Sequence, residues 1–282
     1  MNYKRRIGIV GYGHLGEFLV DEILARPAEY ELAFVWTRSG TFNPGTKRLD
    51  RSVLLEDLTY FYTRRPDLVV EVAHPTISKA YGEHFLKHSD YLIGSPTALA
   101  DSETELKLRR AARKPHGLYV PSGAMWGLED IRKMADRGTL QGLTVTMRKH
   151  PSALRLAEGS AIRAKNDNVS TRPTVLYEGP VRDLCHIAPN NVNTMAAAAV
   201  AAHNLGFDKT QACLISDPNM ADYHVTEIAV QGPSEIDGRT FTVRTTRTNP
   251  AGRGDVTAKA TYSSFLSSML AAEGKGPGVH LC

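Results

Sequence analysis

The first residues with a clear chemistry form a glycine-rich segment near the start of the chain. Residues 11 to 16 read Gly11-Tyr12-Gly13-His14-Leu15-Gly16, which is the spacing GxGxxG. Such glycines permit a tight turn, let backbone amides approach a pyrophosphate and let a helix pack closely on a strand, while the helix N-terminus stabilises the anion. The segment, His14 and Leu15 included, therefore predicts a dinucleotide-binding site; a glycine-rich turn without a ligand is the alternative.

The residues after the second predicted strand indicate which dinucleotide is bound. A site selective for NAD has an acidic residue there, which holds the ribose 2′-hydroxyl. This chain instead reads Thr37-Arg38-Ser39. A guanidinium suits a 2′-phosphate, and the two hydroxyls add donors. We therefore expect NADP or NAD as cofactor, with NADP favoured through Arg38; an arginine that only faces solvent is the alternative.

A histidine stands at the end of a third apolar strand. His74 follows the run LVVEVA and precedes Pro75. Ligands of open α/β sheets bind at the carboxyl ends of the strands. His74 is therefore a candidate contact of the cofactor or substrate, and a histidine that bonds within its own loop is the alternative.

Strands and helices alternate around these residues. The predicted strands are residues 6–10, 31–36, 67–73, 91–93 and 118–120, and the predicted helices are residues 14–26, a segment ending near 88, and 104–113. This alternation predicts an α/β fold, a Rossmann doubly wound parallel sheet.

The pattern changes after about residue 140. Strands are predicted at 143–147, 175–177, 212–215, 225–230 and 240–246, helices at 191–205 and 262–272, and irregular polar chain over 151–172. This favours a second α+β domain with a mixed or antiparallel sheet. We expect a Rossmann domain over residues 1–122, completed by the C-terminal helix within about 250–282, and an α+β domain over 123–249.

Composition excludes several classes of function. The net charge is only +4, and no basic stripe carries aromatic residues, so we expect no nucleic acid partner. No apolar run reaches the length of a membrane helix, so we expect no membrane partner. The cysteines, Cys185, Cys213 and Cys282, are few and widely spaced. They predict no metal site and a reducing compartment, which we take to be the cytoplasm.

Several motifs together resemble the L-aspartate dehydrogenase family over most of the chain. They are GxGxxG, Glu71-Val72-Ala73-His74-Pro75, Pro121-Ser122-Gly123-Ala124 with Gly127-Leu128, Pro189-Asn190-Asn191-Val192-Asn193, and Asp217-Pro218 before His224. The resemblance implies a Rossmann domain plus an α+β domain that provides catalytic residues and oligomer contacts, and we expect a homodimer. It also implies oxidative deamination of L-aspartate to iminoaspartate, then oxaloacetate and ammonia.

The resemblance also assigns roles to individual residues. Ala124 is expected at the nicotinamide end of the cofactor. Asn191, or Asn193 if the register differs by two, is expected at the cofactor as well. His224 is implied as the catalytic histidine. Asp222 stands two residues before it, where the family usually has asparagine.

The implied reaction gives these residues a chemistry. Removal of hydride from Cα needs an unprotonated amine, and hydrolysis of the imine needs an activated water; a histidine with a pKa near neutrality can serve both steps. We expect Asp222 to orient or charge the His224 ring. A dicarboxylate needs cationic partners, for which Lys149 is the candidate, and Ser122 can donate to the substrate or nicotinamide. A polar loop histidine and a solvated basic strand end are the respective alternatives.

Two further functions remain open. A related oxidoreductase with the same two-domain plan would act on another small carboxylic acid or imine. A protein that has lost catalysis would bind NADP as a sensor or scaffold. Turnover of L-aspartate would distinguish the predicted aspartate dehydrogenase from both alternatives.

Overall fold

A parallel sheet carries the glycine-rich segment at its carboxyl edge. The computed structural model describes residues 3–40 and 49–282. The first elements are β1 (Arg5–Val10), α1 (His14–Leu24), β2 (Tyr30–Trp36), β3 (Leu68–Glu71), α2 (Pro75–His88), β4 (Asp90–Ile93), α3 (Ser102–Ala111) and β5 (Gly117–Val120). All of β3 and β5 is buried. Strands covered by helices on both faces read as continuous apolar runs, which is why the sequence predicts them well.

A second sheet follows in the chain. Its elements are α4 (Leu128–Asp136), β6 (Gly142–Lys149), α5 (Ala161–Asp167), β7 (Thr174–Pro180), α6 (Val181–Ile187), α7 (Asn193–Ala201), α8 (Gly206–Lys209), β8 (Gln211–Ser216), β9 (Tyr223–Ser234) and β10 (Thr240–Pro250). The strand order is β10-β9-β6-β8-β7. Strand β6 pairs in parallel with β8, and the other pairs of this sheet among the described residues are antiparallel, so the sheet is mixed, as predicted.

The prediction of irregular chain over residues 151–172 is wrong for α5. Ser160 caps this short helix, since its hydroxyl accepts a hydrogen bond from the Arg163 amide at 3.4 Å. The Ser160 hydroxyl thus satisfies a backbone amide at the start of the helix, and the polar composition of the segment does not reveal this cap.

The alternation of side chains along β6 and β9 determines which of them point into the protein interior. In β6 the buried residues are Leu143, Val145, Met147 and Lys149, and the residues between them are half-buried. The inward apolar residues belong to the same cluster as α7, whose alanines are all buried. The N-terminus of α7 meets the segment after β4 through a Thr97–Asn193 hydrogen bond of 3.2 Å.

The C-terminus returns to the parallel sheet. Helix α9 (Lys259–Ala271) packs on α1, with the Phe18 and Tyr262 rings edge to face at 5.6 Å. Strand β11 (Gly278–Leu281) then pairs in parallel with β5. The sheet order becomes β11-β5-β4-β3-β1-β2. The sequence predicted the helix but not the strand.

Two apolar clusters form the core. One lies between α1, α9 and one face of the parallel sheet, and includes Ile7, Leu19 and Phe265. The other covers the opposite face and continues beneath the second sheet. Within residues 3–40 and 49–282, no helix is long and apolar enough to cross a membrane.

Candidate active site

A cleft lies where the carboxyl edge of the parallel sheet meets the second sheet. Its empty volume is about 730 Å³. The predicted site residues on its wall are Leu15, Ser122, Ala124, Lys149, Asn191, Asn193 and His224. The other predicted residues, Gly11, Gly13, His14, Gly16, Arg38 and His74, lie at the ends of β1, β2 and β3 or in the first turn of α1. The fold thus brings residues from both sheets to one cleft.

The turn between β1 and α1 has the shape that a pyrophosphate needs. Gly11 has a φ of +111°, and a Cβ on it would lie 2.7 Å from the Val72 carbonyl oxygen. A Cβ on Gly16 would lie 2.1 Å from the Gly11 carbonyl oxygen. A Cβ on Gly13 would meet no described atom within 4 Å. The open space lies at the start of α1, whose first amides point outward without helical partners, so the residues present fit a dinucleotide.

Arg38 and His74 share the edge next to this turn. Arg38 is exposed directly after β2, and the hydroxyls of its neighbours Thr37 and Ser39 are 3.1 Å apart. Burial, followed by the charge of Arg38, lowers the pKa of His74. His74 also begins α2, because its Nδ1 accepts from the Thr76 amide at 3.3 Å. The anticipated bond within its own loop is therefore present, and it leaves the ring beside Arg38.

Three polar side chains end the buried face of the second sheet. Met147 pairs with Thr226, and this register continues to place Lys149 opposite His224. Asn249 pairs with His224 from the other side. All three are buried on the cleft wall, and the buried Thr226 lies next to them on the inward face of β9. A buried polar cluster at one end of an apolar face indicates a binding site.

Lys149 is a buried cation. It is only 4% exposed, so the alternative of a solvated strand end is wrong. Its Nζ donates to the Val256 carbonyl oxygen at 3.0 Å, and no ion pair of Lys149 occurs within the described ranges. Burial lowers the pKa of Lys149 to about 8. An anionic ligand in the cleft would supply the missing counter-charge.

His224 is held in its neutral form, and the expectation of a pKa near neutrality is wrong for the site as the structure shows it. Burial, and then the neighbouring charge of Lys149, lowers the pKa of His224 to about 4, although the charge and backbone of Asp255 oppose this change. Asp222, the expected partner, is exposed and uses its carbonyl to accept from the Ala251 amide at 2.9 Å. The expectation for Asp222 was therefore wrong: the acid that acts on the ring is Asp255.

The two candidate asparagines differ in their bonding. Asn191 accepts from the Arg155 amide at 2.7 Å and donates to the Ala153 carbonyl at 3.0 Å, so its side chain holds a turn. Asn193 accepts from the Thr97 hydroxyl. Within the described part of the chain, its Nδ2 makes no hydrogen bond. Of the two, Asn193 has the amide group available to a ligand.

The turn after β5 is fixed by the C-terminal segment. The Ser122 amide donates to the Cys282 carbonyl at 2.7 Å. The Gly123 carbonyl accepts from Ser264 at 2.7 Å and from Arg247 at 3.2 Å. Ala124 is consequently held on the cleft wall, which Ser122 also lines.

Several wall residues escaped sequence reasoning. They are Thr226, Asn249, Val256, Thr257, Ala258, Thr261 and Phe265. A polar residue at an inward position of β9 or β10 was the available signal for the first two. Val256, Thr257 and Ala258 come from the β10–α9 connection, which has no periodicity to reveal its contacts, and Thr261 and Phe265 come from α9. Among the described residues, no group of three or more His, Cys, Asp or Glu side chains could hold a metal ion.

Comparison with known proteins shows which family the chain belongs to. A model of the aspartate dehydrogenase C-terminal domain matches residues 130–268, and one of the homoserine dehydrogenase NAD-binding domain matches residues 11–121. An aspartate dehydrogenase domain-containing protein of Xenopus tropicalis is 52% identical over 99% of this chain and 98% of its own length. The chain belongs to the aspartate dehydrogenase family. The predicted family is thereby confirmed.

More distant relatives agree with this membership. An L-aspartate dehydrogenase of Nitrosopumilus maritimus is 26% identical over 85% of this chain and 87% of its own. The crystal structure of aspartate dehydrogenase from Thermotoga maritima superposes with a TM-score of 0.66, at 22% identity, over 97% of this chain and 98% of that one. The predicted fold class is confirmed, and the chain has the fold of an NAD(P)-dependent dehydrogenase.

Proposed function

We propose that the protein catalyses the NAD(P)-dependent oxidative deamination of L-aspartate to iminoaspartate, which water converts to oxaloacetate and ammonia. The observation that carries the proposal is the buried Lys149, without a described counter-ion, beside the neutral His224 at the end of the dinucleotide cleft. A cation and a proton acceptor side by side match the carboxylate and the α-ammonium group of an amino acid.

Lys149 is the proposed carboxylate ligand. Its side chain is buried, and an ion pair is stronger in a buried site than in water. Ser122 lines the same cleft, and its hydroxyl is a second proposed donor to the substrate. Together they would fix the orientation of Cα.

His224 is the proposed general acid and base. The substrate carboxylate neutralises the Lys149 charge that helps to lower the pKa of His224. The neutral ring then takes a proton from the α-ammonium group and leaves an amine lone pair that can form the C=N bond. A bound nicotinamide ring supplies the hydride acceptor. His224 releases this proton to solvent, then takes a proton from the attacking water and returns it to the departing ammonia. The Lys149 charge and the Asp255 carboxylate tune the ring in opposite directions.

The proposed cofactor ligands follow the edge of the parallel sheet. Gly11, Gly13, His14, Leu15 and Gly16 would hold the pyrophosphate at the start of α1. Arg38 would hold a 2′-phosphate, which is why we propose NADP over NAD. His74, Ala124, Asn193 and Asn191 are proposed along the nicotinamide half, with Asn191 acting through the turn that it holds.

We further propose residues 1–122 with about 250–282 as the dinucleotide-binding domain and residues 123–249 as the catalytic and oligomerisation domain. The pairing of β11 with β5 supports the first assignment. For the second, the outward side chains of β6 and β9 are half-buried or exposed, which favours a homodimer through this face. The free cysteines favour the cytoplasm. Light scattering on the purified protein tests the dimer.

The test of the function is dinucleotide reduction with a panel of small amino acids and 2-hydroxy acids. The proposal predicts turnover of L-aspartate above all others. Preferred turnover of another acid would favour a related oxidoreductase. Tight binding of NADPH without turnover of any compound would favour a sensor or scaffold.

A further inference from the structure

A buried carboxylate lies beneath the dinucleotide-binding edge. Glu71 is the last residue of β3, between Val10 of β1 and Ile93 of β4. Its exposure is 0%. No ion pair of Glu71 occurs within residues 3–40 and 49–282, so hydrogen bonds must compensate for its burial.

Those hydrogen bonds reach both carboxylate oxygens. Oε1 accepts from the Ala73 amide at 2.7 Å and from the Ser95 hydroxyl at 3.0 Å. Oε2 accepts from the Ser95 amide at 2.9 Å and, at 3.5 Å, from the hydroxyl of Ser78. Burial raises the pKa of Glu71 to about 7, while the bonds from Ala73 and Ser95 oppose that change. Because donors approach both oxygens, both oxygens must act as acceptors, and a carboxylate provides two acceptor oxygens.

The donors belong to two different turns at the edge. Ala73 lies in the turn after β3, and the carbonyl of its neighbour Val72 forms the wall behind Gly11. Ser95 lies in the turn after β4, between Gly94 and Pro96, which both line the cleft. One side chain therefore ties the wall of the pyrophosphate turn to the wall of the cleft.

We infer that Glu71 is a positioning residue for the dinucleotide, because its carboxylate holds the turns after β3 and β4 in the spacing that the cofactor needs. The inference rests on the dinucleotide binding in the proposed function. It assigns no contact between Glu71 and the cofactor, since the side chain lies wholly below the surface of the cleft.

The matched pair for a test is Glu71→Gln and Asp67→Asn. The glutamine keeps the size of the side chain but turns an NH₂ group toward a donor. Asp67 accepts from the Arg6 amide at 2.6 Å near the opposite end of β3, so its amide variant perturbs the same strand away from the cleft. Fluorescence titration with NADPH, at a temperature at which all proteins are folded, measures the dissociation constant.

We expect Glu71→Gln to weaken NADPH binding at least tenfold and Asp67→Asn to change it less than twofold, even if both lower the melting temperature. Hydrogen exchange of the Ala73 and Ser95 amides should accelerate only in Glu71→Gln, which a general loss of stability would not produce. If Glu71→Gln fails to fold, Ser95→Ala removes one donor and keeps the carboxylate; it should weaken binding about threefold, and unchanged binding would overturn the inference.

The remaining outcomes separate this role from the proposed function. Equal NADPH binding by the unaltered and Glu71→Gln proteins, or equal weakening by Glu71→Gln and Asp67→Asn, would overturn the positioning role alone. Absence of NADPH and NADH binding in the unaltered protein would overturn the proposed function and this role with it.

Discussion

Replacement of Lys149 by methionine should stabilise the protein and impair it at the same time. Methionine fills a similar volume without a charge. The fall in the pKa of Lys149 from 10.5 to about 8 corresponds to about 3 kcal/mol of unfavourable free energy for the charged form. Loss of the hydrogen bond from Lys149 to the Val256 carbonyl costs about 1 kcal/mol, which offsets part of this gain in stability. The net gain of about 2 kcal/mol should raise the melting temperature by roughly 4–8 °C near pH 7.

The same substitution should weaken substrate binding. Removal of one partner of a buried charge pair costs about 2 kcal/mol or more, which is about thirtyfold in the KM for L-aspartate. NADPH affinity should not change, because the pyrophosphate turn belongs to the other sheet. Lys165→Met is the control: Lys165 also donates to a backbone carbonyl, that of Val175, but is exposed. It should alter neither property.

The pH dependence of the stability difference has a defined sign. The folded protein disfavours charged Lys149, so its pKa is lower in the folded than in the unfolded state. The advantage of Lys149→Met is therefore complete below about pH 8 and disappears as the pH rises toward 10.5. Calorimetry at several pH values measures it. A variant that is less stable than the parent at pH 7, or one with unchanged KM, would refute the assignment of Lys149 as a buried cation that awaits a carboxylate.

The other predictions concern the cofactor turn and the histidine. Arg38→Asp should weaken NADPH binding at least tenfold and leave NADH binding within about threefold, by fluorescence titration; an unaltered protein that prefers NADH would show that Arg38 does not select the cofactor. Gly13→Val should abolish dinucleotide binding in a folded protein, and normal binding would argue against the pyrophosphate turn. His224→Ala should lower turnover about 10²–10⁴-fold with unchanged NADPH affinity, and His224→Asn should not restore it. Full activity in the alanine variant would exclude the catalytic role.

The sequence predicted the elements that obey a simple periodicity. The strands β1 to β5 are apolar because both faces are covered, and the glycine spacing identified the turn after β1. Strand β11 escaped notice because only four residues, Gly278–Leu281, form it, and its pairing with β5 is a long-range contact. Local sequence periodicity does not indicate which strand a C-terminal segment will pair with.

The sequence identified individual site residues more readily than it predicted which of them lie in contact. Lys149 was singled out by its type, but its burial follows from the inward position that β6 gives it. Asp222 looked like the partner of His224 because it is close in sequence, whereas Asp255 reaches the ring after the chain has turned through β9 and β10. Glu71 was visible within a motif, but its role depends on two turns that only the folded sheet brings together.

The central claim is that hydride leaves Cα of L-aspartate for a nicotinamide bound in this cleft. The most direct test incubates the unaltered protein with NADP and L-aspartate that carries deuterium at Cα, and analyses the reduced nucleotide by mass spectrometry. The account predicts one deuterium in each NADPH formed, together with ammonia and oxaloacetate in equal amounts. Absence of reduced nucleotide with both NADP and NAD, or reduced nucleotide without deuterium, would contradict it.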